Sequence, residues 1–98
     1  MAQIIWTTEA TLWLEDIFKY ISEKNSDAAS RVVEEIYNKV QLLSKFPEIG
    51  YIYRKESDGD IRVILYGHYR IAYLFQSSSD KVIILGVFHS ALEIKKYL

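Results

Sequence analysis

Arg62, Arg70 and His89 stand on three apolar, β-branched runs, Asp60–Tyr66, Tyr69–Tyr73 and Val82–His89, that follow one another closely in the second half of the chain. Unpaired charge on a buried strand face is costly, so each of these side chains needs a partner or a task. An imidazole titrates near neutral pH and moves protons readily. A guanidinium grips an anion through paired, charge-assisted hydrogen bonds. The chemistry that such a set suggests is proton transfer beside a bound anion.

Other chemistries find no support. There is no glycine-rich phosphate loop, no GxSxG, no HExxH and no EF-hand spacing. Cysteine is absent, which removes disulfides, zinc–thiolate sites and thiol catalysis. Two isolated histidines do not make a metal site, so neither metal nor cofactor is expected. Twelve basic residues against thirteen acidic ones leave a net charge of −1. A protein that lives on phosphate backbones shows a basic excess or a basic patch, so this balance argues against autonomous nucleic-acid binding. No apolar run approaches the roughly 18 residues of a membrane span, and no charged-then-apolar leader pattern is read, so the cytoplasm is the expected location.

The elements that must position these groups are legible from periodicity. Ninety-eight residues make one expected domain, residues 1–98, half of it apolar. Ile4-Ile5-Trp6 reads as an edge strand, and Thr7 stands where a helix N-cap belongs, with Glu9 in the first turn. Ala10, Leu14, Ile17 and Ile21 define one apolar stripe, widened by Trp13 and Tyr20, and predict a helix over 8–23. Lys24-Asn25-Ser26-Asp27 breaks the pattern. A second stripe, Ala29, Val32, Ile36, Val40 and Leu43, predicts an antiparallel partner helix that ends at Phe46-Pro47.

The stretch from Pro47 to Asp60 reads as a loop with a short extended piece at Tyr51–Tyr53. Gly67-His68 reads as a tight hairpin turn, Ser77–Asp80 as the next turn, and Ser90–Leu98 as a tail with a last helical turn. The fold class is therefore α+β: an N-terminal edge strand, an antiparallel two-helix hairpin, and three strands of a mostly antiparallel sheet, in the order β-α-α-β-β-β. Strand alternation puts Arg62 with Ile64 and Tyr66, sets Arg70 opposite Tyr69, Ile71 and Tyr73, and puts His89 with Ile83, Leu85 and Val87. Which faces coincide across strands is open at this level. The expectation is that both arginines and the imidazole face one shared hollow.

The ordered series Ile5-Trp6-Thr7, Glu9-Ala10, Leu14, Ile17, Tyr20-Ile21, Ala29, Phe46-Pro47-Glu48-Ile49-Gly50, Ile61-Arg62, Tyr69-Arg70-Ile71-Ala72-Tyr73 and Val87-Phe88-His89 resembles the RelE/ParE toxin family from Ile4 to about His89. The resemblance implies a bacterial toxin of a type II toxin–antitoxin pair, with two helices packed on a mostly antiparallel sheet. It implies a cognate antitoxin as partner, whose flexible C-terminal part wraps over the toxin. Two targets divide the family: the ribosome and its mRNA, cleaved by RelE-like interferases, and DNA gyrase, inhibited by ParE-like members.

Metal-free RNA cleavage needs a base for the 2′-hydroxyl, an acid for the leaving oxygen and cations for the developing charge. Glu48 or Tyr97 would be the base, Arg62 and Arg70 the phosphate clamps, and His89 the acid. Simpler readings stand beside these. His89 closes a strand, Arg62 and Arg70 pair with Asp60, Glu48 or a terminal carboxylate, and Tyr66, Tyr69 and Tyr73 pack across the sheet. Arg54, Arg62 and Arg70 are equally candidates for acidic residues of an antitoxin. Slight net acidity, and the run Ser90-Ala91-Leu92-Glu93 where many relatives are basic, favour the gyrase branch over the interferase. A decayed toxin that keeps only antitoxin binding is a third reading. The sequence leaves oligomeric state open.

Overall fold

Thr7 does two jobs at the start of the first helix. Its hydroxyl accepts from the N–H of Ala10 at 3.1 Å and donates to the carbonyl of Ile84 at 2.7 Å, so the cap is also a tether to the sheet. The computed structural model describes residues 1–98, the side chain of Ala91 excepted. Strand β1 (Gln3–Trp6) leads through this cap into helix α1 (Thr8–Ser22). Asn25 caps helix α2 (Ser26–Gln41) by accepting from Ala28 N–H at 3.0 Å. A 3-10 turn (Leu42–Ser44) follows. Four strands come next, β2 (Tyr51–Glu56), β3 (Gly59–Tyr66), β4 (Tyr69–Gln76) and β5 (Lys81–Phe88), then helix α3 (Ala91–Tyr97). Among the described residues no helix is long and apolar enough to cross a membrane.

The sheet runs β1-β5-β4-β3-β2. β1 lies parallel to β5, and every other pairing is antiparallel. The α+β class and the edge position of β1 match expectation. Two features differ from it. The stretch expected as a loop holds a six-residue strand, β2, and the tail forms two helical turns rather than one. β2 escaped the apolar-run criterion because it is an exposed edge strand, polar over Arg54-Lys55-Glu56, with a bulge between Ile52 and Arg54 that breaks its alternation.

A second bulge has larger consequences. Ala72 pairs with Gly86 but Tyr73 pairs with Ile84, so β5 carries one residue more than β4 at this point. An extra residue reverses the faces of everything beyond it. Val82 and Ile84 point to the α1–α2 layer, and past the bulge Val87 rather than Phe88 does so. The grouping of Ile83 and Leu85 with Val87 and His89 therefore fails. Gly86 makes room for the switch: a Cβ there would lie 2.5 Å from Cζ of Phe88.

The main core joins Ala10, Ile36, Val40 and Leu43 of the helical layer to Ile64, Ile71, Tyr73, Val82, Ile84 and Val87 of the sheet. A smaller cluster on the other sheet face, Val63, Ala72, Phe88 and Ile94, seats α3. Trp13 touches both clusters and meets Phe88 and Tyr97 edge to face at 4.9 and 5.0 Å. That aromatic group fixes α3 against the middle of α1.

Candidate functional site

Arg62 lies on β3 facing the helical layer, opposite Tyr73, and its side chain is only 12 % exposed. Its Nη1 donates to the carbonyls of Glu48 at 2.9 Å and Gly50 at 2.8 Å. Its Nη2 lies 3.5 Å from Asp60 and 3.9 Å from the exposed carboxylate of Glu48. Beside it, the fully buried Tyr73 hydroxyl donates to the Pro47 carbonyl at 2.8 Å and accepts from Gly50 N–H at 3.0 Å. Burial pushes the Tyr73 phenol up, against the opposing pull of the Gly50 hydrogen bond and the Arg62 charge. Gly50 permits the approach, since a Cβ there would sit 2.7 Å from the Tyr73 oxygen and 2.9 Å from the Val63 carbonyl. The segment Pro47-Glu48-Ile49-Gly50 is thus lashed to the sheet by one guanidinium and one phenol. Such a segment has no regular partners for its own carbonyls, and buried carbonyls must find them somewhere.

Arg70 pairs with Leu65 and Phe88, which places it on the sheet face away from α1 and α2. Among the described residues no side-chain hydrogen bond or ion pair engages it. Arg54 is held within the chain: Nε lies 2.8 Å from Glu56 Oε1, and Nη1 donates to the main-chain oxygen of Leu98 at 2.6 Å. Tyr97 is half exposed, with its ring against Trp13 and stacked 6.2 Å from Phe88.

His89 follows Val87 onto the helical side of the sheet, across from Tyr69 at a ring separation of 5.3 Å. Four rungs and two strands separate it from Arg62, on the order of 17 Å by strand geometry. The expected shared hollow does not form. Arg62 and His89 share a face but not a neighbourhood, Arg70 lies on the reverse face, and Glu48 belongs to the Arg62 lash at the far side of the sheet. The Arg62 Nη1 is taken by two carbonyls and Nη2 faces two carboxylates, while its Nε is buried without a partner and so closed to a phosphate from solvent.

What His89 does line is a cleft of about 370 Å³ between α1 and the ends of β4 and β5, with Trp13, Asp16, Ile17, Tyr20, Tyr69, Val87 and Glu93. The His89 main-chain N–H donates to Glu93 Oε1 at 2.6 Å, while Ser90 caps α3 by accepting from Glu93 N–H at 3.3 Å. The His89 N–H, one residue before the cap, thereby fixes the carboxylate of Glu93, a side chain that lines the cleft. Burial pushes the Tyr69 phenol up, and the neighbouring Tyr20 adds to the shift. The spacing 13, 16, 17, 20 on α1 was a readable signal for half of this cleft, but Asp16 falls outside the apolar stripe. Tyr69 and His89 meet only because of the β5 bulge. A second, apolar groove of about 260 Å³ runs between α1 and α2, lined by Leu14, Phe18 and Val33 among others.

The architecture is a helix hairpin laid on a five-stranded, mostly antiparallel sheet, with a third short helix on its other face. The profile of the ParE toxin of type II toxin–antitoxin systems, parDE, matches residues 4–92, and the chain belongs to that family. Among solved structures it is similar in fold to a chain of the chromosomal ParDE toxin–antitoxin system of P. aeruginosa, with a TM-score of 0.72 and 20 % identity over 91 % of this chain and 96 % of that one. It is also similar to a chain of the toxin–antitoxin complex RelBE2 of Mycobacterium tuberculosis, with a TM-score of 0.59 and 26 % identity over 91 % of this chain and 98 % of that one. No curated protein matches it by sequence.

Proposed function

We propose that this toxin arrests growth by binding DNA gyrase, and that a cognate antitoxin neutralises it by binding the chain directly. The observation that carries the reading is the dispersal of the groups RNA cleavage would need: Arg62 is bound within the fold, Arg70 faces the other way, and His89 stands beside two carboxylates. Membership of the ParE family supports gyrase as target, and the two solved relatives, both toxin–antitoxin systems, support an antitoxin as partner. Both partners place the protein in the cytoplasm. The mechanism is protein–protein binding, which needs surface complementarity and no proton transfer.

A supercoiling assay with purified gyrase tests it. The expected result is inhibition, or accumulation of cleaved DNA, reversed by adding the antitoxin. Codon-phased cuts in translated messages, abolished by His89→Ala, would replace this reading with the interferase.

A further inference from the structure

The cleft beside His89 combines aromatic and acidic chemistry. Its walls are the aromatic rings of Trp13, Tyr20 and Tyr69, and its rim carries the carboxylates of Asp16 and Glu93. No lysine or arginine lines it. Aromatic faces attract cations through their quadrupole, and a planar guanidinium can stack on a ring while pairing with a carboxylate. Apart from the His89 N–H on Glu93, no hydrogen bond or ion pair occupies either carboxylate among the described residues.

We propose that this cleft is a recognition site for a cationic side chain of the antitoxin, arginine in first place. The inference rests on the reading that an antitoxin neutralises the chain. Phosphate is a poor occupant, because two carboxylates repel it. A metal ion is excluded on geometry, since no three of the His, Asp and Glu side chains among the described residues are placed to hold one. A volume of about 370 Å³ suits one long side chain and exceeds what a lone ion fills.

Charge and continuity select the antitoxin. Residues 8–41 carry seven carboxylates against four basic side chains, so the helical layer steers a cationic segment toward itself. The opposite flank of α1 opens onto the apolar groove of Leu14, Phe18 and Val33, and Tyr20 stands 70 % exposed near the cleft mouth. A segment crossing α1 would bury the groove and deliver its cation to the cleft in one stroke. Permanent partners bury more apolar surface than transient ones do, which fits an antitoxin better than a target. The contact is opposite in sign to those expected of the arginines: Arg54 and Arg62 are engaged inside the chain, while Arg70, without a partner among the described residues, stays available for an acidic one.

The test uses the full chain and its antitoxin. Affinity is measured by calorimetry for wild type, Asp16→Asn, Glu93→Gln and the double variant, with unfolding curves to show that each is folded. The double variant should bind the antitoxin roughly 10- to 100-fold more weakly, the loss expected for charge-assisted contacts. An Arg→Gln scan of the antitoxin should find one position whose effect vanishes in the Asp16→Asn background. As an independent probe, N-acetylarginine amide should perturb the Trp13 fluorescence of a Trp6→Phe protein, and its citrulline analogue should not. Unchanged antitoxin affinity in the folded double variant overturns the proposal. So does loss of growth inhibition with antitoxin affinity intact, because the cleft would then serve the target. A wild-type chain that binds the arginine probe but no antitoxin removes the underlying reading instead, and with it the assignment of the occupant.

Discussion

Replacing Tyr73 by Phe removes a single oxygen, yet that oxygen is both donor to the Pro47 carbonyl and acceptor from Gly50 N–H, at 2.8 and 3.0 Å, from a side chain with no exposed surface. Phe fills almost the same volume, so packing is conserved and the loss is polar. Each buried group left without its partner costs about 1–3 kcal/mol. The two together give about 2–6 kcal/mol, from a domain whose whole stability is of order 5–15 kcal/mol. For a chain of this size each kcal/mol shifts Tm by about 4–8 °C, so even at the lower figure Tyr73→Phe should melt about 8–16 °C below wild type. Arg62→Ala should show a loss of similar size, because it strips the Glu48 and Gly50 carbonyls of their donor. Arg62→Lys should recover little of it, since one ammonium cannot reproduce the guanidinium fork. Thermal and guanidinium unfolding followed by circular dichroism give the values, and a double-mutant cycle should return a coupling of about 0.5–3 kcal/mol, because both side chains hold the same four residues. A Tyr73→Phe or Arg62→Ala protein melting within about 2 °C of wild type would refute the lash. It would return Arg62 to the list of groups kept for chemistry.

Three further outcomes follow from the same geometry. Gly86→Ala should destabilise by about 1–3 kcal/mol, because its methyl would meet the Phe88 ring at 2.5 Å and the ring cannot retreat through the α3 cluster; equilibrium unfolding in urea reads it. Thr7→Ala should cost about 1–2 kcal/mol through loss of the α1 cap and of the Ile84 tether, whereas Thr7→Ser should keep most of both. The folded-state pKa of Tyr73 is raised from 10.0 by burial, so its contribution to stability is fully present below pH 10 and is lost as pH climbs through the raised value. Stability curves above pH 10 should therefore fall more steeply for wild type than for Tyr73→Phe. Tyr69, also raised by burial, retains its share of the slope in both proteins.

The helices were readable because their stripes repeat locally: Ala10, Leu14 and Ile17 on α1, and Ile36 and Val40 on α2, all became core or packed against it. Strands β3, β4 and β5 announced themselves as apolar runs with turn residues between them. β2 did not, because an exposed edge strand needs no apolar face and a bulge spoils what alternation it has. The motif Phe46-Pro47-Glu48-Ile49-Gly50 was visible as a motif, but its reason was not. Only contacts between residues 12 to 26 positions apart show that its carbonyls and Gly50 N–H are held by Arg62 and Tyr73.

The amino-acid order alone settled the two long helices, β1, the three apolar strands and the family they build, since period, capping and turn chemistry are properties of neighbours along the chain. It also set the inventory of charged and aromatic groups. Which of those groups meet was decided by the tertiary structure. One extra residue in β5 turns His89 toward Tyr69 and the carboxylates of α1 and α3, and the register of β3 on β4 sends Arg62 and Arg70 to opposite faces. Side-chain facing has a period of two, so a single bulge inverts it, and no local pattern records where that bulge will fall.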